Sequence, residues 1–191
     1  MTFRVFRALL ICCCFVAMSQ LTFAEVPNQE QQEQTQETVE FAGYTVAMPQ
    51  GWTKEQPRNN IVDFEFSIKP AEGDERAGRF TLMDASGSVE ANLERWFGQF
   101  TQPDGSATKD KSKVEEKELA GLKVHVVDIS GTFKDQAGPF APATMRDNYR
   151  MLAAIIPTSQ GTWFAKFVGP AATVEKHAEG FGKMVESLKK K

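Results

Sequence analysis

Cysteine and histidine are the scarce residues of this 191-residue chain, and their positions exclude most site chemistry. The three cysteines, Cys12, Cys13 and Cys14, sit together in an apolar stretch near the N-terminus. From residue 25 onward there is therefore no disulfide, no thiol nucleophile and no cysteine-based zinc site. Only His125 and His177 supply imidazole. The patterns G-x-S-x-G, H-E-x-x-H, the P-loop and G-x-G-x-x-G are all missing. Gly180-Phe181-Gly182 lacks a third glycine and lies in a helical pattern, so it is no phosphate cradle. A basic field is missing too. The formal charge is −3, five glutamates and no cation fall within residues 25–40, and residues 41–191 are formally neutral. That argues against a nucleic-acid partner, because phosphate binding needs excess cations.

The N-terminus has what the rest lacks. MTFRVFRALLICCCFVAMSQLTFA opens with Arg4 and Arg7, runs apolar, and ends Thr22-Phe23-Ala24. It predicts a signal peptide over residues 1–24, cut after Ala24, and an exported protein, periplasmic or extracellular. A retained membrane anchor is the alternative, although the run from Ala8 to Ala17 is short for a bilayer. Lipidation is disfavoured, since Ile11 or another cysteine precedes each cysteine. Residues 25–40, EVPNQEQQEQTQETVE, carry two valines and no aromatic. Such a segment buries too little to offset its ordering entropy and predicts a disordered acidic linker. One domain is expected over residues 41–191.

Within that domain the elements follow from periodicity. Tyr44, Val46 and Met48 alternate as one strand face, and Val62, Phe64, Phe66 and Ile68 give the clearest strand signal. Residues 78–85 return as its hairpin partner, with Asp63 and Glu65 set against Arg79 as outer-face charge pairs. Residues 88–100, SVEANLERWFGQF, predict an amphipathic helix with Val89, Leu93, Trp96, Phe97 and Phe100 as its apolar stripe and Asn92 opposite. Ser88 is placed to cap it. A charged strand at 113–118 turns at Ala120-Gly121 into a long strand at 122–133. Strands are expected at 148–156 and 161–168, and a helix at 171–189, where Gly180 and Gly182 either allow close helix–sheet contact or are merely tolerated. Short connections make the sheet largely antiparallel, so the fold class is α+β, a mostly antiparallel sheet flanked by helices.

Candidate function is harder to place. Residues 134–147, KDQAGPFAPATMRD, break all periodicity and predict a long irregular loop. With its flank it brings Phe140, Met145, Arg146, Tyr149 and Arg150 together, the apolar, aromatic and guanidinium mixture of binding surfaces. Trp96, at the edge of its stripe, is the helix residue placed to face a pocket. A hydrolase or transferase built on His125 with Asp128 is the competing reading, but the two residues point to opposite faces of one strand. His177 is expected on a solvated helix face. No catalytic residue, metal site or cofactor is implied. The expected partner is an unknown protein or an apolar small ligand, contacted by a non-catalytic binding or assembly module. The membrane enters only if the leader is retained, as in a tethered envelope component.

The pattern resembles the PsbP-like fold, shared with the Mog family of Ran-binding proteins and with DcrB-type periplasmic lipoproteins. YTVAMPQGW, FEFSIKP, the helix after paired strands, ELAGLKV and the ending FVGP…VEKHAEGFGKMVESLKK carry this resemblance. GTFKDQAGPFAP and YRMLAAIIP resemble uncharacterised secreted proteins of planctomycete bacteria. The resemblance implies an α/β/α sandwich and a non-catalytic role. It transfers no functional residue and implies no photosystem setting.

Overall fold

The computed structural model describes residues 36–136 and 141–191. The expected leader and residues 25–35 of the expected linker lie outside the described residues, as does Phe140.

The domain starts earlier than periodicity suggested. Strand β1 (Thr38–Phe41) takes in the last three residues of the expected linker and pairs antiparallel with β2 (Tyr44–Ala47). Val39 and Phe41 are buried. The turn between them is Ala42-Gly43, with φ of 46° and 78°, as a two-residue hairpin with both central residues left-handed requires. Ala120-Gly121, φ 51° and 77°, makes the same turn between β7 (Lys113–Leu119) and β8 (Leu122–Asp135). The second Ala-Gly was read as a turn from sequence. The first was missed because Phe41 to Met48 looked continuous.

β2 also pairs with β11 (Lys189–Lys190), so the final lysines form a strand rather than a helix end. These three strands make a small sheet ordered β1-β2-β11. The main sheet runs β3-β4-β5-β10-β9-β8-β6, with β7 also on β8, and every pairing is antiparallel. Its other strands are β3 (Trp52–Glu55), β4 (Phe64–Ile68), β5 (Gly78–Ala85), β6 (Phe100–Thr101), β9 (Thr144–Thr158) and β10 (Gly161–Pro170). The expected α+β class holds.

Helix α1 (Val89–Phe97) is shorter than the 88–100 expected. Ser88 Oγ accepts from Ala91 N at 3.2 Å, as its capping role demands. Gly98 ends the helix, and Phe100 becomes the start of β6, opposite Phe133. Asn92, expected on the wet side, is buried: its amide donates to Ser88 O at 2.8 Å and ties the preceding loop down. A short helix, α2 (Thr108–Lys111), lies between β6 and β7. The expected irregular segment at 134–147 is strand at both ends, residues 134–135 of β8 and 144–147 of β9, since these strands stay paired out to Asp135 opposite Thr144. A register shift between Gly131 and Phe133, with Asn148 at φ 55°, breaks the alternation that periodicity reading relies on.

Each face of the main sheet has its own core. Helix α3 (Ala171–Glu186) covers Phe66, Ile68, Phe80, Leu82, Phe167 and their neighbours. Helix α1 covers Val127, Ile129, Met151, Ile155 and Phe164. Gly180 is the close approach on α3: a Cβ there would stand 3.4 Å from Pro49, whereas one at Gly182 meets nothing within 4 Å. Gly182→Ala therefore gains helix propensity unopposed and raises unfolding free energy by about 0.5–1 kcal/mol. Gly180→Ala gains less. Urea unfolding of both variants checks this, and equal gains contradict the packing.

Candidate functional site

The α1 face carries an apolar field interrupted by a polar strip. On β4, Phe66 and Ile68 face α3, so Glu65 faces the other way, and it is 2% exposed. Glu65 lies across from Thr81, and Thr81 across from Lys166. Cross-strand partners share a face, so the three form a row. Arg79 sits one row away, opposite Ser67 and Val168.

Glu65 is a buried carboxylate with its acceptors filled. Arg79 donates through Nε to Oε1 at 2.7 Å and through Nη2 to Oε2 at 2.9 Å. Arg58 adds its backbone N–H at 3.2 Å and its Nε at 3.0 Å. The Arg79 hydrogen bonds hold the Glu65 pKa below its ordinary value, against the opposing effect of burial. The outer-face pairing expected from sequence was right for Glu65 with Arg79 and wrong about exposure. Asp63 instead accepts from the backbone N–H of Asp84 at 3.2 Å. A pocket of about 240 Å³ opens here, with Gln56, Arg58, Glu65, Ser67 and Arg79 in its wall and Glu55 on it.

Lys166 is the other unusual charge. It lies on a central strand and is half-buried. Its Nζ donates to Gln99 Oε1 at 2.7 Å and stands 5.6 Å from the Phe133 ring centroid. Burial, then the nearby Arg79 and Arg95 guanidinia, push its pKa down to about 8. Phe133 stacks on Tyr149 with centroids 6.0 Å apart and planes 7° from parallel. Burial raises the Tyr149 pKa. Arg146, across from Phe133, pairs with Asp135 at 3.3 Å. Arg79 and Arg95 thus lie near Lys166, and Arg146 lies beside the aromatic wall of Phe133 and Tyr149. Of the carboxylates nearby, Glu65 and Asp135 are held by arginine, while Glu55 lines the pocket and Asp74 lies near Tyr149. Such a surface offers hydrogen-bond donors and positive potential to an anionic group.

The residues expected from sequence divide. Arg146 and Tyr149 belong to this surface. Met145 is 51% exposed but lies opposite Lys134, one register step away from Arg146 and Phe133. Arg150 is on the α3 face, where it holds Asp128 through two bonds of 2.8 and 2.7 Å and also pairs with Glu175 of α3. That role is structural, since it ties helix to sheet. Trp96 is corrected: it is 3% exposed and packs edge-on against Phe164 at 5.5 Å, in the core rather than at a pocket. Lys166 and Glu65 were missed as site residues. The signal was present in both, a charge in the middle of an apolar strand on a sheet with two covered faces.

The competing hydrolytic centre gains no support. His125 pairs across from Ile155 and Asp128 across from Leu152, residues of opposite cores, and the carboxylates near His125 are Glu116 at 3.9 Å and Glu90 rather than Asp128. Among the described residues no group of three or more His, Cys, Asp or Glu is placed to hold a metal ion. His177 is half-buried rather than solvated.

No family model and no curated protein matches the chain. Solved structures do. Cyanobacterial PsbP (CyanoP) of Synechocystis is similar at 9% identity and a TM-score of 0.49, over 81% of this chain and 92% of that one. A protein of unknown function from Pseudomonas aeruginosa is similar at 14% identity and 0.44, over 80% and 94%. LpqN of Mycobacterium tuberculosis, involved in cell envelope biogenesis, is similar at 8% identity and 0.44, over 83% and 86%. These are partial superpositions, and the α+β class rests on this chain's own strand order and helix placement.

Lys166 sets a stability slope. Its folded pKa of about 8 lies below the ordinary 10.5, so between these values the unfolded state holds more protons and stability rises with pH. Lys166→Met keeps the stem packing, removes that slope and leaves stability at pH 7 unchanged or higher. Glu65→Gln removes the charge that Arg79 and Arg58 pair with and costs about 1–2 kcal/mol, because both guanidinia reach solvent. Chemical denaturation across about pH 7 to 10.5 reads all three effects. A flat wild-type profile contradicts the burial of the Lys166 amine.

Proposed function

We propose that the protein is an exported, non-catalytic binding module that takes an acidic protein partner on the α1 face of its sheet. The observation that carries the reading is Lys166, a charge kept on a central, apolar strand at a cost in stability. Its neighbours Arg79 and Arg95 raise that cost instead of relieving it. A folded chain keeps such a group where a site needs it, because stability alone favours an apolar residue there. Arg58 and Arg146 extend the positive surface, and the stacked Phe133 and Tyr149 supply an apolar wall. Carboxylates of a partner complement this surface and steer its approach.

Export is supported by the leader composition: two arginines, an apolar run, and Ala24 before Glu25. N-terminal sequencing of the protein recovered from its source is expected to begin at Glu25, and a chain still beginning at Met1 contradicts cleavage. For the partner, affinity capture from the exported fraction is compared between wild type and a Lys166→Met, Arg146→Ala double variant. Capture is expected to fall at least about tenfold and to weaken with added salt. Salt-insensitive capture that the double variant retains overturns the reading.

A further inference from the structure

The pocket beside Glu65 holds a charge that the Glu65–Arg79 pair does not explain. Glu55 lines the same pocket and lies directly across from Glu65 on the neighbouring strand. Cross-strand partners share a face, and like charges set opposite each other destabilise a sheet. The guanidinium ion pairs here run to Glu65. Among the described residues Glu55 has no cation at salt-bridge distance, so nothing in the fold relieves this repulsion.

The guanidinia, in turn, are only partly used. Arg79 donates to Glu65 through Nε and Nη2, and its Nη1 has no acceptor among the described residues. Arg58 approaches Glu65 through Nε, and neither of its Nη groups has an acceptor there. The Arg58 side chain is 74% exposed and that of Arg79 34%, so both are within reach of a ligand, while the buried Glu65 carboxylate holds them in place from below. Gln56 and Ser67 add uncharged polar groups to the wall. At about 240 Å³ the pocket is smaller than the sites of drug-sized ligands, which start at about 300 Å³.

The two arginines and two glutamates of this wall sum to zero charge, so it favours neither a simple anion nor a simple cation. It complements a small molecule that carries both signs. An anionic group accepts from the unused Nη hydrogens, and an ammonium group offsets the repulsion of Glu55 by Glu65.

We infer that this pocket binds a small zwitterion, with its carboxylate or phosphate on Arg58 and Arg79 and its ammonium on Glu55. The inference does not rest on the acidic-partner reading. Lys166 and Arg146 do not line the pocket, so the Lys166→Met, Arg146→Ala double variant keeps this binding whether or not it loses a protein partner. The test is a titration of the nitrogen-labelled chain, read at the Arg79 Nε–H and at the backbone signals of Arg58 and Ser67. Glycine, alanine and phosphoethanolamine are the zwitterions. Acetate and methylammonium, with one charge each, are the controls.

At least one zwitterion is expected to shift these signals saturably with a Kd of about 1 mM or tighter, and both controls to bind at least about tenfold more weakly. Whether an amino acid or phosphoethanolamine binds identifies the anionic group. Glu55→Gln loses about tenfold toward the zwitterion and nothing toward acetate, whereas Arg58→Ala weakens both. Both side chains are exposed, so the variants keep the fold, and their unshifted signals away from the pocket verify it. The inference is overturned if no zwitterion moves the signals. It is equally overturned if acetate binds as tightly as the best zwitterion, or if Glu55→Gln binds that zwitterion as well as wild type.

Discussion

The structure depends on the double-sided burial of its central strands. Residues 151–156 of β9 are buried without interruption, and on β10 Phe164, Ala165 and Phe167 are buried on alternate faces. A sheet apolar on both faces needs cover on both. Helix α3 supplies one cover, fixed by the Arg150 bridge from Asp128 to Glu175. The other is α1, only nine residues long. At about 1.5 Å per residue it spans about 14 Å, against about 34 Å for seven strands laid side by side. It covers one part of its face, assisted by Phe100 and Phe133. The polar row of Glu65, Thr81 and Lys166 occupies the flank toward β4.

That inequality between the two covers generates the candidate site. Where an apolar face is left partly open, charged groups take the positions, but at depths where each charge needs a partner. Glu65 has its partners in Arg79 and Arg58. The pair fixes the Arg79 guanidinium beside Lys166, and Lys166 has a neutral amide and an aromatic face for company. The result is a positive surface stiffened from below by a buried carboxylate. In a chain of negative overall charge, this is a local polarity that composition conceals.

Much of the fold was legible because periods of 2 and 3.6 survive in the long elements. FEFSI, GRFTLMDA and the helix around Leu93 to Phe97 obey them closely. Legibility failed where two residues decide the outcome. Ala42-Gly43 turns what reads as a single strand into a hairpin, and Lys189–Lys190 continue as a strand because β2 offers them an edge. The 134–147 segment looked irregular because its proline and glycine residues drew attention, while the bulge near Gly131 hid the alternation of the paired ends. For the site, sequence chose Tyr149 and Arg146 on residue type alone. It passed over Lys166 and Glu65, whose significance is depth rather than identity, and depth depends on which strands become neighbours. Trp96 failed for the converse reason: residue type suggested a ligand contact where packing against Phe164 had already used the ring.

The desolvation of the Lys166 amine carries the proposed binding role. Its most direct test is the titration of the Lys166 side chain itself, followed by carbon-detected NMR of selectively labelled lysine, with Lys166→Met providing the assignment. A midpoint at about 8 is the predicted result. A midpoint at the ordinary 10.5 would contradict the account, because the amine would then be a solvated surface charge with no cost to explain.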